Sequence, residues 1–273
     1  MNNTLSVDNK NPIEVAFISG ATGGIGKAFA KQVAKSGFNL FLTGRSLEKL
    51  EKLSKEISSE YGVKTDYFAC DLTNESAVNH LIGYIKERGY KINKIINVAG
   101  IDTQKAFRLF TQEKLTQMVK VNALSTISIT HALIERRADN LEILTVASMS
   151  GASPMPYFAL YSATKSLLIN LFTSLHYELK GLGVKVTVVM PGGVYTRADV
   201  IEQINGQGLW GKLSAKSPEF VAKRSLRAVS KNKVKYIPGF FNKFLYFIMQ
   251  IAPKRLVLKF IARRRSKIEK DAF

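Results

Sequence analysis

Apolar and polar positions along the first two thirds of the chain follow two alternating periods. Nearly uninterrupted apolar runs recur as "EVAFIS", "NLFLTG", "KTDYFAC", "KIINVAG", "LEILTVAS" and "VKVTVVM". Between them, apolar residues return every three or four positions, as in "KAFAKQVAKSG", which ends at Gly37. The first pattern predicts strands and the second helices, with the later helices running from Leu47 to Tyr61, about Glu75 to Arg88, about Gln112 to Arg137 and about Tyr157 to Lys180.

Strands alternating with helices imply parallel β-α-β units with right-handed crossovers, and strands apolar on both sides imply a sheet covered by helices on both faces. The expected fold is therefore α/β, a doubly wound parallel sheet of Rossmann type, as a single domain with a C-terminal helical extension. The predicted division is a polar tail over 1–12, a catalytic and dinucleotide-binding unit over 13–237, and a basic amphipathic helical tail over 238–273. After Pro191 the regularity gives way to a glycine-containing stretch, and a lid over about 192–216 is expected there, because ligands of open α/β sheets bind beyond the carboxyl ends of the strands.

Composition adds three constraints. With 273 residues, 46% of them hydrophobic, the chain can bury one large core. A single cysteine, Cys70, excludes an internal disulfide and a cysteine zinc cluster, and His80, His131 and His176 lie scattered, so no metal site is expected. The N-terminus, "MNNTLSVDNKNP", lacks the plan of a secretory signal, so a cytoplasmic protein is expected.

The formal charge of +19 is unevenly placed: from Lys231 to Phe273 there are 12 Lys/Arg against Glu269 and Asp271. In the tail, Pro253 is expected to divide two helices. Phe241, Phe244, Leu245 and Ile248 share a face of the first; Leu256, Val257, Phe260 and Ile261 share a face of the second, opposite Lys254, Lys259, Arg263 and Arg264. Two readings stay open: an interfacial helix pair lying on an anionic membrane, and helices packed on the body or on a second subunit. The longest uncharged run, Phe244 to Pro253, is too short to span a bilayer. Charge alone would also permit nucleic acid, but no reading motif accompanies it, so nucleic acid is not expected as a partner.

The candidate chemistry begins at "ISGATGGIGKAFA". Gly20, Gly24 and Gly26 stand between the first strand and the first helix, where they permit a tight turn, close approach of a pyrophosphate and close helix-strand packing; the helix N-terminus around Ile25 offers free N–H groups to an anion. NAD-binding sheets carry an acid about 20 residues further on. Here the chain reads "TGRS", 18 residues from Gly26 to Gly44, so Arg45 and Ser46 are expected to hold a 2′-phosphate, and NADP(H) is preferred over NAD(H).

Together, "SGATGGIG", "CDL" at 70–72, "NVAG" at 97–100, Asn122, Ser148, "YSATK" at 161–165 and "PGGVYT" at 191–196 resemble the ordered motif set of the short-chain dehydrogenase/reductase family, in its compact single-domain branch. The resemblance covers roughly Ile13 to Thr196. Ser19 and Val98 depart from the commoner threonine and asparagine. It implies that Asp71 binds the adenine amino group beside Leu72, and that Asn97, Ala99 and Gly100 form a turn supporting the fourth strand and lining the cofactor. It further implies that Pro191, Gly192 and Val194 bring backbone to the nicotinamide, and that Thr196 binds its carboxamide.

Tyr161 and Lys165, four apart on a helix, place an ammonium one turn from a phenol, and positive charge favours the phenolate. By the resemblance Tyr161 is the general acid for carbonyl reduction and the base in reverse, Ser148 polarises the substrate oxygen, Asn122 holds a water that resupplies protons through Lys165, and Tyr161 and Lys165 also contact the cofactor. Homodimers or homotetramers paired through the helices of Asn122 and Tyr161 are implied as well.

Met149, Pro154, Met155 and Phe158, with Val194, Leu209 and Trp210 from the lid, should border an apolar pocket whose only charges are Arg197 and Asp199. The expectation is an NADPH-dependent reductase of an apolar ketone or aldehyde. A hydroxysteroid or alcohol dehydrogenase working in the oxidative direction and a non-catalytic dinucleotide sensor are the alternatives.

Overall fold

In the computed structural model, which describes residues 12–196, 198–206 and 208–265, seven parallel strands form one sheet. They are β1 (Glu14–Ser19), β2 (Leu40–Gly44), β3 (Thr65–Ala69), β4 (Lys91–Asn97), β5 (Arg137–Val146), β6 (Lys185–Val189) and β7 (Lys235–Tyr236), in the order β3-β2-β1-β4-β5-β6-β7. The order reverses direction between β1 and β4, which opens a crevice at the carboxyl edge. The expected doubly wound α/β sheet is present.

The helices are α1 (Gly24–Lys35), α2 (Leu47–Tyr61), α3 (Glu75–Glu87), α4 (Gln112–Val119), α5 (Ser125–Ile134), α6 (Ala159–Glu178), α7 (Ala198–Gly206), α8 (Gly208–Ser214), α9 (Pro218–Ser230), α10 (Phe240–Ile251) and α11 (Lys254–Arg265). They cover both faces of the sheet, and each face has its own core. One is built around Phe17, Phe41, Tyr90, Ile95, Leu168 and Phe172, the other around Ile18, Phe29, Leu42, Leu50, Ile96 and Val221.

Local chemistry explains most boundaries. The side chains of Ser46, Asn74, Thr111 and Ser217 cap α2, α3, α4 and α9 by accepting backbone N–H groups, and Gly62 ends α2 in the left-handed region at φ 69°. Inside the first core the Asp66 carboxylate accepts hydrogen bonds from Tyr90 Oη (2.8 Å) and Tyr84 Oη (3.2 Å), which satisfies the charge it brings to a buried position.

Several boundaries differ from the sequence pattern. The long helix expected from Gln112 to Arg137 is α4 and α5 joined by a π-turn, Lys120–Leu124, and it ends at Ile134; Arg137 already belongs to β5, where Ala138 and Leu141 are buried. The helix expected to start at Tyr157 starts at Ala159, because Tyr157 has φ 63°, a left-handed backbone no helix admits. Strand β7 has two residues, too few to register as a period, yet it extends the sheet by pairing Lys235 with Val188 and Tyr236 with Val189.

The stretch after Pro191 contains α7 and α8. Its return is pinned where the Lys216 N–H donates to the Gly193 carbonyl (3.0 Å) and the Tyr195 N–H to the Lys216 carbonyl (3.1 Å), so it is a closed excursion over the carboxyl edge. Pro253 separates α10 from α11 as expected. The apolar faces of these helices divide differently: Phe244 and Ile248 are exposed while Phe241 and Leu245 are half-buried, and Leu256 and Phe260 are exposed while Val257 and Ile261 are half-buried. Among the described residues, no helix is long and apolar enough to cross a membrane.

Phe172 is fully buried on α6 and joins that helix to the first core. Phe172→Ala should cost about 3–5 kcal/mol in urea denaturation, the usual penalty for emptying an aromatic core position.

Candidate active site

Because every strand runs the same way, their carboxyl ends share one edge. Gly20 follows β1, Arg45 follows β2, Asp71 lies just past β3, Asn97 to Gly100 close β4, Ser148 follows β5, and Pro191 and Gly192 follow β6. The sequence-predicted residues that lie far apart in the chain are brought together there.

The glycine turn is built by contacts that no side chain could share. Gly20 has φ 63°, and a Cβ on it would lie 2.9 Å from the Ala99 backbone; a Cβ on Gly26 would overlap the Gly20 carbonyl. Ser19 Oγ accepts the N–H groups of Val98 (3.1 Å) and Ala99 (3.3 Å), tying the turns after β1 and β4 together. Helix α1, with Gly23 as its N-cap, has no side-chain cap, as is also true of α6 and α10, whereas α2, α3, α4 and α9 are capped. The first amides of α1 thus lack a side-chain acceptor, the arrangement that suits an anion. Gly24 faces Thr196 at the start of the excursion after β6, where a Cβ would come within 3.0 Å of the threonine Cβ, and Ile25 is half-buried against the second core.

Arg45 is exposed, and Ser46 accepts the Lys49 N–H at 3.3 Å while capping α2, which leaves the hydroxyl proton free to donate. Thr22 stands opposite: its Oγ1 is 3.1 Å from the place a Cβ on Gly44 would occupy. Asp71 is exposed and accepts the Thr73 N–H and hydroxyl, both at 2.9 Å on Oδ1, and Leu72 packs beside it on the first core. Asn97 is buried, its Nδ2 donating to Thr130 Oγ1 (2.9 Å) and Thr145 Oγ1 (3.2 Å), so its side chain supports β4 from within.

The Lys165 side chain is 3% exposed. Its Nζ donates to the Val146 carbonyl (3.0 Å) and lies 5.7 Å from the centre of the Tyr161 ring. A Cβ on Gly100 would stand 3.1 Å from that Nζ and 3.4 Å from Asn122 Oδ1, so the absent side chain at 100 is what admits the amine. Burial pushes the Lys165 pKa down to about 8, with the Asp102 carboxylate opposing the shift. Tyr161 stacks on Phe158 at 4.3 Å. Ser148 Oγ accepts the Ser150 N–H at 3.1 Å, again keeping its proton to donate.

Asn122 sits in the π-turn, fully buried. Its Nδ2 donates to the Ile101 carbonyl (2.9 Å) and Thr164 Oγ1 (3.2 Å), and its Oδ1 accepts the Ile101 N–H (2.8 Å). Both donors are thus taken, and a water on the expected relay would have to donate to Oδ1 or bond the backbone of the turn. Of the residues expected to border the pocket, Met149 and Met155 are half-buried, Phe158 and Val194 are buried, and Pro154 is exposed. Arg197 lies outside the described residues, as do the side chains of Asp199, Leu209 and Trp210.

The sequence pattern did not single out Thr22, Asp102, Thr130, Thr145 or Thr164. Thr164 lies inside "YSATK", but its partner Asn122 is 42 residues away, and only folding shows the pairing.

Residues 14–204 match the short chain dehydrogenase family profile. The very-long-chain 3-oxoacyl-CoA reductase of Bos taurus is 31% identical over 222 residues, 79% of this chain and 68% of that protein. Among solved structures, one described as a 7beta-hydroxysteroid dehydrogenase superposes with TM-score 0.84 at 26% identity, over 91% of this chain and 96% of the other. An actinorhodin polyketide ketoreductase with NADPH superposes with TM-score 0.73 at 25% identity, over 84% and 97%. Profile, relatives and fold agree with the motifs gathered on one sheet edge: the chain belongs to the short-chain dehydrogenase family of oxidoreductases.

Proposed function

We propose that the protein reduces an apolar ketone or aldehyde with NADPH, using Tyr161, Lys165, Ser148 and Asn122. The observation that carries this reading is the buried Lys165 amine beside the Tyr161 ring. A buried ammonium acts strongly on titratable groups near it, and the Tyr161 ring centre lies 5.7 Å from this one. A dinucleotide sensor would not need it.

The residues present fit a dinucleotide: an uncapped helix N-terminus, a turn with no side chain at Gly20, Gly24 and Gly26, and the strand-order reversal beside it. Gly20, Gly24, Ile25 and Gly26 would hold its pyrophosphate, Asp71 and Leu72 its adenine, and the backbone around Ala99, Gly100, Pro191, Gly192 and Val194, with Thr196, its nicotinamide half. When bound, it supplies the hydride. Arg45, exposed and facing no carboxylate in its own turn, would pair bidentately with a 2′-phosphate, assisted by the Ser46 hydroxyl.

In this reading the Ser148 hydroxyl donates to the substrate oxygen and polarises the carbonyl, and the Tyr161 hydroxyl delivers its proton to the same oxygen as the carbonyl carbon is reduced. Lys165 stabilises the phenolate left behind, and the groups around Asn122 lead the replacement proton inward. The wall of Met149, Met155, Phe158 and Val194 selects an apolar chain beside the carbonyl. The bovine relative and the ketoreductase named above support carbonyl reduction; the hydroxysteroid dehydrogenase supports a second reading, oxidation of an apolar alcohol by the same residues run in reverse.

Three measurements test the assignment. Tyr161→Phe should bind NADPH unchanged by fluorescence titration and lower kcat by about 10²–10⁴-fold on a panel of ketones graded in chain length; retained turnover would remove the acid role. Arg45→Ala should weaken NADPH binding by about 10- to 100-fold, the worth of a charge-assisted pair, and leave NADH binding unmoved. Because burial lowers the folded-state pKa of Lys165 to about 8, the unfolded chain binds the proton first between the ordinary lysine value of 10.5 and 8. The protein should therefore lose stability relative to a Lys165→Met variant as pH falls through that window, as read by chemical denaturation at fixed temperature.

A further inference from the structure

The two C-terminal helices present an apolar stripe that no described residue covers. Phe240, Phe244, Phe247 and Ile251 recur at helical spacing along α10 with exposures of 87, 51, 59 and 63%, and Leu256 and Phe260 continue along α11 at 65 and 64%. Exposed side chains this large, adjacent and mostly aromatic, mark an interaction surface. The same segment is strongly basic: Lys243, Lys254, Arg255, Lys259, Arg263, Arg264 and Arg265 fall within Phe240 to Arg265, and no Asp or Glu occurs from Phe220 to Ile268. Each helix has 12 residues, too few to span a bilayer but enough to lie along its surface with aromatic side chains in the interface and Lys/Arg at the headgroups.

The inner face of α10 is fastened to the cleft. Asn242 is 1% exposed; its Oδ1 accepts the Ser214 hydroxyl (2.7 Å), and its Nδ2 donates to the carbonyls of Ser214 (2.8 Å) and Pro238 (2.7 Å). Ser214 is the last residue of α8 in the lid, and a Cβ on Gly192 would stand 2.8 Å from Asn242 Oδ1. Helix α10 also packs on the turn Met149–Ala152 that follows Ser148. The tail is therefore joined to the lid and to the wall of the substrate pocket.

We propose that the outer face of α10 and α11 docks on the surface of an anionic lipid bilayer, carrying the lid and the mouth of the cleft with it. Apolar stripe and unbalanced positive charge together select this occupant: a nucleic acid would use the charge and leave the phenylalanines in water, and a second copy would bring the same positive charge against itself. The docking rests on the helix faces alone; only its consequence, delivery of a membrane-dissolved substrate, rests on the proposed activity.

The test is co-sedimentation of the full chain with vesicles of phosphatidylcholine alone and of phosphatidylcholine with phosphatidylglycerol, at low and high salt. Binding should be at least about tenfold stronger on the anionic vesicles and fall with salt. A Phe244→Asp/Phe247→Asp variant, altered only at exposed positions, should melt like the wild type and lose that binding. Equal sedimentation on both vesicles, none on either, or binding unchanged in the variant overturns the proposal. So does a drop in solution mass of the variant by light scattering without vesicle binding in the wild type, which would assign the face to a second copy. Since neither arm reads turnover, a missing reductase activity leaves the outcome unaffected.

Discussion

A single desolvated amine organises the site. Lys165 keeps its Nζ in a space that exists because residue 100 has no side chain, because the Val146 carbonyl at the end of β5 accepts its hydrogen bond, and because Asn122 closes one side. Burial disfavours the charged form, so the surrounding fold has to hold the amine where water would hold it better. That holding comes from α6, whose other buried residues, Leu168, Ile169 and Phe172, are packed into the first core. The chemistry at Tyr161 in the proposed mechanism is an outcome of this packing one turn further along.

The rest of the edge follows the same economy of polar groups. Ser46, Asn74, Thr111 and Ser217 cap the helices they precede, whereas α1, where the dinucleotide is proposed to bind, begins with glycines and has no side-chain cap. Asn97 and Ser19 stitch β1, β4 and β5 together just below the cleft, so the turns that would receive the cofactor are fixed before it arrives. Preorganisation of this kind is what allows electrostatic stabilisation without rearrangement.

The excursion after β6 and the C-terminal helices extend this arrangement outward. Asn242 satisfies both its donors and its acceptor on Ser214 and Pro238, and this buried network ties α10 to the end of α8. A surface that touched α10 would therefore bear directly on the segment above the carboxyl edge of the sheet.

The fold class was legible in the chain because period and apolarity are local properties: β1 and α2 lie where the pattern places them, residue for residue. The glycine turn, the "TGRS" turn and the spacing of Tyr161 and Lys165 were legible for the same reason, each being a stretch of a few residues with its own chemistry. What only the tertiary structure decided was set by partners far away in sequence. Two-residue β7 is a strand because β6 lies beside it; the π-turn at Lys120–Leu124 carries no mark in composition; Phe241 turns inward and Phe240 outward because the body occupies one side of α10. Thr164, Asp102 and Asn242 gain their roles from groups that folding delivers to them. Sequence determines which side chains can bury or donate, but burial and hydrogen bonding depend on distance through space, and that distance exists only once the sheet has closed.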